Sequence, residues 1–229
     1  MIGGLSAPKS DHRRTPGQKS LVLLSGGLDS ATLAFLLGKQ GHAIECLYFD
    51  YEQRGINAER DCAMTVASEL GVSLNILEMP RPRDFLRSIV PSPNDDIELF
   101  ADVVNLCTMA ATFAVEVGAD SVLLGINADD TRVHPTLQTV FFRNIQRLAS
   151  LWIDKDLKLL TPFLHKDKLS VMRVGMKLGV PFGSTWSCNA NVDKHCGRCS
   201  HCLDRRAAFS LLGLADPTQY EYEVCGREQ

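Results

Sequence analysis

The 229-residue chain is 45% apolar and 22% charged, enough for one sizeable α/β core with a small appendage. Its net charge of −3 and pI near 6.1 count against a surface built to hold nucleic acid and favour a small-molecule substrate. No apolar run approaches the roughly 20 residues needed to span a bilayer, and the N-terminus lacks the apolar core of a signal peptide, so the expected location is cytoplasmic.

Residues 1–19 are polar and rich in Gly, Pro, Ser and basic side chains, which predicts a flexible N-terminal arm. A βα alternation then begins. Leu21–Leu24 reads as a strand and Asp29–Gly38 as a helix with Leu33, Leu36 and Leu37 inward. Ala43–Phe49 is a second strand, Asn57–Leu70 a helix stopped by Gly71, and Leu74–Leu77 a third strand. The proline-rich stretch 79–97 predicts an irregular loop, and a long helix follows over 101–117. Ser121–Leu124 is a fourth strand, Gly125–Leu137 a polar loop, 138–152 a helix and 158–160 a strand. A helix over Asp167–Leu178 stops at Gly179; a cysteine loop over 184–202 and a last helix over Leu203–Leu212 complete the chain. Strands alternating with helices predict a parallel sheet covered on both faces, with ligands beyond the carboxyl ends of the strands. The expected organisation is an arm (1–19), an α/β domain (20–183) and a cysteine-rich segment packed on it (184–229).

The turn after the first strand reads Ser25-Gly26-Gly27-Leu28-Asp29-Ser30. It lacks the lysine of a Walker A loop and the third glycine of a dinucleotide fingerprint. Its own logic still suits phosphate. The glycines let the backbone approach an anion, Ser25 and Ser30 offer hydroxyls, and the following helix aims free N–H groups at the ligand. Asp29 would repel phosphate unless a cation lies between them, which makes it a candidate Mg²⁺ ligand.

Of eight cysteines, four cluster as Cys188-x7-Cys196-x2-Cys199-x2-Cys202. Four thiolates at this spacing suit a closed tetrahedral Zn²⁺ site of structural role; an iron–sulfur cluster and a redox dithiol are the competing readings. His195 and His201 lie inside the loop as substitute ligands. Cys46, Cys62 and Cys107 read as small core residues.

Together, "SGGLDS" and "TWSC…CGRCSHC" resemble the PP-loop ATP pyrophosphatases, and within them the QueC-type 7-cyano-7-deazaguanine synthases. Further matching segments are "FDYEQR" (49–54), "GINADD" (125–130) and "TPFLHKDK" (161–168). The resemblance implies an adenine nucleotide alpha hydrolase-like α/β fold with a small zinc knuckle. It implies an ATP-dependent ligase that adenylates 7-carboxy-7-deazaguanine, releases pyrophosphate and couples the acid to nitrogen, giving the amide or the nitrile. ATP, Mg²⁺ and structural Zn²⁺ are the implied cofactors, and a homodimer the implied assembly. Asp50, Gln53 and Arg54 follow the second strand at the binding edge; Gln53 and Asp50 are candidate nucleotide contacts and Arg54 a phosphate or adenylate clamp, with a plain surface arginine as the alternative. Lys168 matches a family lysine and is a candidate for stabilising the pyrophosphate, against a solvated helix-start lysine. Asn127 and Asp130 are placed to meet the base edge or a metal, and Trp186 is either a stacking wall or a core residue.

The chain departs from the family on loops. The family's Arg-Asn before the long helix is Asp102-Val103 here, and the Asp, Cys and Arg after the fourth strand are Thr136, Leu137 and Gln138. Glu52 replaces a glycine and Gly55 a histidine. This pattern predicts retained adenylation with an altered second half, including the alternative that the amine belongs to a protein or peptide in a defence-type operon. A PP-loop tRNA-modifying enzyme is a further alternative.

Overall fold

The computed structural model describes residues 18–80, 95–151, 156–190 and 192–222, without the side chains of 95–101. Residues 1–17 of the predicted arm, 81–94 of the predicted loop, and Cys225 lie outside the described residues. Strand β1 (Lys19–Leu23) leads into α1 (Leu28–Gln40), β2 (Ala43–Asp50), α2 (Ile56–Leu70) and β3 (Leu74–Glu78). Helix α3 (Asp95–Glu116), β4 (Ser121–Leu123), α4 (Ala128–Val133), α5 (Thr139–Ser150) and β5 (Lys158–Leu160) follow. Then come α6 (Lys168–Leu178), a 3₁₀ turn (Phe182–Ser184) and α7 (Ser200–Leu211).

All strand pairs are parallel, in the order β3-β2-β1-β4-β5. The strand side chains alternate between two cores, because successive residues point to opposite sheet faces. Val22, Cys46, Tyr48 and Leu123 pack with α1, α2, α6 and α7. Leu21, Leu47, Phe49 and Val122 pack with α3 and α5. The order reverses between β1 and β4, and such a switch point leaves a crevice at the carboxyl ends of the strands. The loops that open there are the glycine turn after β1 and the segment after β4.

Several sequence-based boundaries change. The segment Gly125–Leu137 is not a continuous loop: α4 forms within it, nucleated by a capping box between Asn127 and Asp130. Helix α3 starts at Asp95 rather than 101, so it begins just after the last proline of the predicted loop. Helix α7 begins at Ser200, with Cys199 at its N-cap, rather than at Leu203, so the cysteine loop and the helix overlap. No helix among the described residues is long and apolar enough to cross a membrane.

Candidate active site

The turn after β1 is held by its own hydroxyls. The Ser25 amide donates to Ser30 Oγ at 3.2 Å, and Ser30 Oγ donates to the Gly27 carbonyl at 3.0 Å. Gly26 sits at φ +75°, and a Cβ there would lie 2.2 Å from the Glu59 carbonyl oxygen, so only glycine fits. Gly27 caps α1 without a side-chain acceptor, which leaves the first N–H groups of that helix facing outward. Across the turn, Gly125 packs so closely that a Cβ would meet the Ser30 amide nitrogen at 2.8 Å.

These loops enclose a cavity of about 360 Å³ bordered by Ser25, Gly27, Asp29 and Ser30 on one side. Tyr48, Phe49, Tyr51, Gln53 and Glu59 border it from β2 and α2, and Val103, Leu106 and Asp130 from the other side. Lys168 Nζ lies 2.5 Å from Asp29 Oδ2. The Lys168 amide donates to Asp129 Oδ2 at 2.8 Å, which fixes the start of α6 beside α4. Asp29 Oδ1 is buried and has no hydrogen-bond partner among the described residues. A buried orphan carboxylate oxygen beside a phosphate-sized turn fits a divalent cation as its missing partner. Burial pushes the Asp130 carboxyl above the usual range. Its side chain accepts the Asn127 amide at 2.9 Å.

The remaining predicted residues separate into distinct roles. Asn127 is buried, and its side-chain oxygen accepts the Asp129 and Asp130 amides at 2.8 and 3.3 Å. It shapes α4 rather than bordering the cavity. Gln53 borders the cavity but is committed on both ends of its amide. Its oxygen accepts the Tyr51 amide at 3.0 Å, and its nitrogen reaches Tyr48 Oη, the Phe49 carbonyl and Glu59 Oε2 at 2.9–3.1 Å. Asp50 and Arg54 do not border the cavity; Asp50 faces Arg60 at 3.7 Å and Arg54 is exposed. Gly26 and Leu28 support the turn from behind, and Leu28 is in the first core. Glu52, at the family's glycine position, keeps a left-handed backbone at φ 57°.

Trp186 packs in the cysteine segment, 4.2 Å from the His195 ring, and donates its indole N–H to the Cys188 carbonyl at 2.7 Å. It is not part of the cavity wall. Its backbone amide instead donates to the Gly26 carbonyl at 2.9 Å, tying the cysteine segment to the phosphate turn.

The ligand atoms of Cys188, Cys196, Cys199 and Cys202 lie within 4.8 Å of one another. Two Sγ–Sγ pairs are 4.0 Å apart. A tetrahedral Zn²⁺ with thiolates at about 2.3 Å needs sulfur separations of about 3.8 Å, so the site fits this ion closely. Amides of Ala190 and Cys196 donate to Cys188 Sγ at 3.4 and 3.3 Å, and that of Cys199 to Cys196 Sγ at 3.3 Å. Such donors favour thiolates. His195 is not among the clustered ligands; its Nε2 accepts the Ser187 amide at 3.0 Å.

Two further residues escaped the sequence reading. Glu59, in the first turn of α2, borders the cavity. Arg205 is 2% exposed and joins the cysteine segment to the body. It donates to Thr185 Oγ1, Ser187 Oγ, Thr218 Oγ1 and the Phe182 carbonyl at 2.6–3.0 Å. The signal for Glu59 was its place in the first turn of the helix that follows β2; it was hidden because Gln53, the side chain that presents it, lies six positions earlier on the intervening loop.

Comparison with known proteins now places the chain. The family model described as "Queuosine biosynthesis protein QueC" matches residues 19–213. The chain is 34% identical over 219 residues to a 7-cyano-7-deazaguanine synthase of Methanosphaerula palustris, covering 89% of this chain and 99% of that one. It is 35% identical over 221 residues to the corresponding synthase of Brucella ovis, covering 89% and 94%. Among solved structures it resembles an NMN synthetase from Francisella tularensis, with a TM-score of 0.56 and 17% identity over 86% of this chain and 78% of that one. It also resembles the U34-tRNA thiolase NcsA of Methanococcus maripaludis, with a TM-score of 0.52 and 18% identity over 72% and 57%. These structural likenesses speak to the fold alone. The profile match across the α/β body and the cysteine segment, with relatives near 35% identity over nearly their full length, shows that this chain belongs to the QueC family.

Proposed function

We propose that the chain is a 7-cyano-7-deazaguanine synthase-like ligase that activates the carboxylate of 7-carboxy-7-deazaguanine with ATP. The observation that carries this reading is the cavity opening directly onto the Ser25–Ser30 turn, with the Asp29–Lys168 pair beside it. A carboxylate does not accept an amine at neutral pH, because its leaving group would be oxide. Adenylation supplies AMP as a leaving group, and one cavity then holds acid and nucleophile together.

The chain's own residues divide the task. The amides of the turn and the start of α1 bind the β- and γ-phosphates, where the helix N-terminus favours negative charge. Lys168 exchanges its Asp29 partner for the departing pyrophosphate. Asp29, with its orphan oxygen, would hold Mg²⁺, which supplies charge neutralisation on the phosphates. Tyr51, half-buried at the edge of the cavity, gives a flat ring of ATP or substrate an aromatic face. The four cysteines would hold Zn²⁺, whose closed thiolate shell gives it a structural role.

One observation favours a change in the second half of the reaction. Val103, standing where the family carries asparagine, borders the cavity, and no side-chain hydrogen bond can come from it. Gln138, where the family carries arginine, borders a second cavity of about 420 Å³ with Arg143 and His165. This supports a reaction that stops at the amide, or that accepts an amine from a protein or peptide. Incubation with the acid, ATP, Mg²⁺ and ammonium, followed by mass spectrometry, separates these outcomes. AMP with nitrile or amide supports the ligase reading, amide alone supports the truncated reaction, and absence of both AMP and product overturns the reading.

A further inference from the structure

We infer that Glu59 is the proton acceptor for the nitrogen nucleophile, a role that rests on the carboxylate-activation reading above. Three features of its placement carry this. It projects from the first turn of α2 into the wall of the same cavity as Ser25, Gly27 and Asp29. Its backbone carbonyl abuts Gly26 so closely that no side chain fits between them, so the carboxyl is registered to the phosphate turn. One carboxyl oxygen is held by Gln53 Nε2 at 3.1 Å, and Gln53 is itself anchored on Tyr48 Oη and the Phe49 carbonyl. The second oxygen has no hydrogen-bond partner among the described residues.

Among the described residues no cation lowers this carboxyl: Arg60, next to it on α2, faces Asp50 at 3.7 Å. The neighbouring titratable groups are the Tyr48 phenol, the Cys62 thiol one turn along α2, and Asp29 and Asp130 across the cavity. Lys168 is paired with Asp29. Burial in this setting raises the Glu59 carboxyl from 4.5 to about 7, and only the Gln53 hydrogen bond opposes the shift. A base is most effective when its pKa lies near the working pH, since it is then both ionised and able to hold a proton.

The step balances with the groups named. Ammonium gives one proton to the Glu59 carboxylate, and the freed nitrogen lone pair attacks the acyl carbon of the adenylate. The C–N bond forms and the C–O bond to AMP breaks, with AMP leaving on that electron pair. The nitrogen then loses a second proton to solvent, and Glu59 returns its own to solvent before the next turnover. Gln53 is the positioning residue for this carboxyl.

The test separates the two half-reactions in the full-length zinc-loaded protein. Acid-dependent exchange of labelled pyrophosphate into ATP reports adenylation; amide or nitrile formation with ammonium reports the attack. Glu59→Gln is expected to keep exchange within about threefold of wild type and to slow amide formation by about 10²-fold or more, the range typical of a lost general base. At fixed ammonium concentration below pH 9, the wild-type rate of amide formation should rise with pH and level off above about 7, a bend that Glu59→Gln lacks. Glu59→Asp should recover part of the rate. Exchange and amide formation falling together in Glu59→Gln would overturn the proposal and make Glu59 a nucleotide-site residue. Unchanged amide formation would also overturn it. Absence of acid-dependent exchange in the wild type would instead reject the carboxylate-activation reading, and this proposal with it.

Discussion

At the scale of single residues, the cavity concentrates unfavourable electrostatics. Asp29, Glu59 and Asp130 border a space that, on the proposed function, receives a polyphosphate. Such an arrangement costs stability and is retained where function needs it. Asp29→Asn keeps the shape of the turn but removes the charge that would hold a cation; acid-dependent pyrophosphate exchange is expected to fall about 10²–10³-fold, measured at saturating Mg²⁺. Glu59 gives a prediction in stability. Its carboxyl binds a proton more tightly in the folded state than in the unfolded chain, so between pH 4.5 and about 7 the folded state carries more protons. Stability therefore falls as pH rises through that window. Glu59→Gln removes this loss, and at pH 8 it should be more stable than wild type by about 2 kcal/mol, with the difference vanishing near pH 4. Urea midpoints at the two pH values check this. The residue scale is also where sequence was least informative. Asp29 and Lys168 were legible because their types are demanded by the phosphate turn and the "HKDK" segment. Asn127 was legible as a residue but not as a role, since an amide oxygen used for capping looks the same in sequence as one aimed at a ligand; for Trp186 the structure selects the core role over the stacking wall. Glu59 was hidden because the side chain that presents it, Gln53, lies six positions away on a loop.

At the scale of elements, the α/β alternation and the glycine stops were plain from apolar periodicity. The helix inside 125–137 was not, because α4 contributes no buried residue and so carries no apolar stripe; its signal is the Asn127–Asp130 capping box. Helix α7 begins three residues earlier than its apolar pattern, because the cysteine site fixes its first turn instead. This gives the cysteine segment a mechanical connection to the phosphate turn, from the cysteine cluster through Trp186 to the Gly26 carbonyl. Cys202→Ser should lose bound zinc, measured by elemental analysis, and lower stability by about 3 kcal/mol, or roughly 6–12 °C in Tm for a chain of this size. Arg205→Ala strands four acceptors in a buried setting and should cost about 3 kcal/mol with zinc content retained, which distinguishes the arginine clasp from the metal site.

At the scale of the whole molecule, the strand order places the reversal between β1 and β4, and the two loops nearest "SGGLDS" converge there. The position of the site thus followed from topology once the strands were recognised, whereas the contents of its wall required the three-dimensional arrangement. The central claim is that this crevice transfers AMP to a carboxylate. It is tested most directly with 7-carboxy-7-deazaguanine labelled with ¹⁸O in both carboxyl oxygens, incubated with the protein, ATP, Mg²⁺ and ammonium. Attack on an acyl adenylate leaves one labelled oxygen on the released AMP, and mass spectrometry of that AMP should show a gain of one ¹⁸O per turnover. Release of unlabelled AMP, or of ADP and phosphate in its place, would contradict the account.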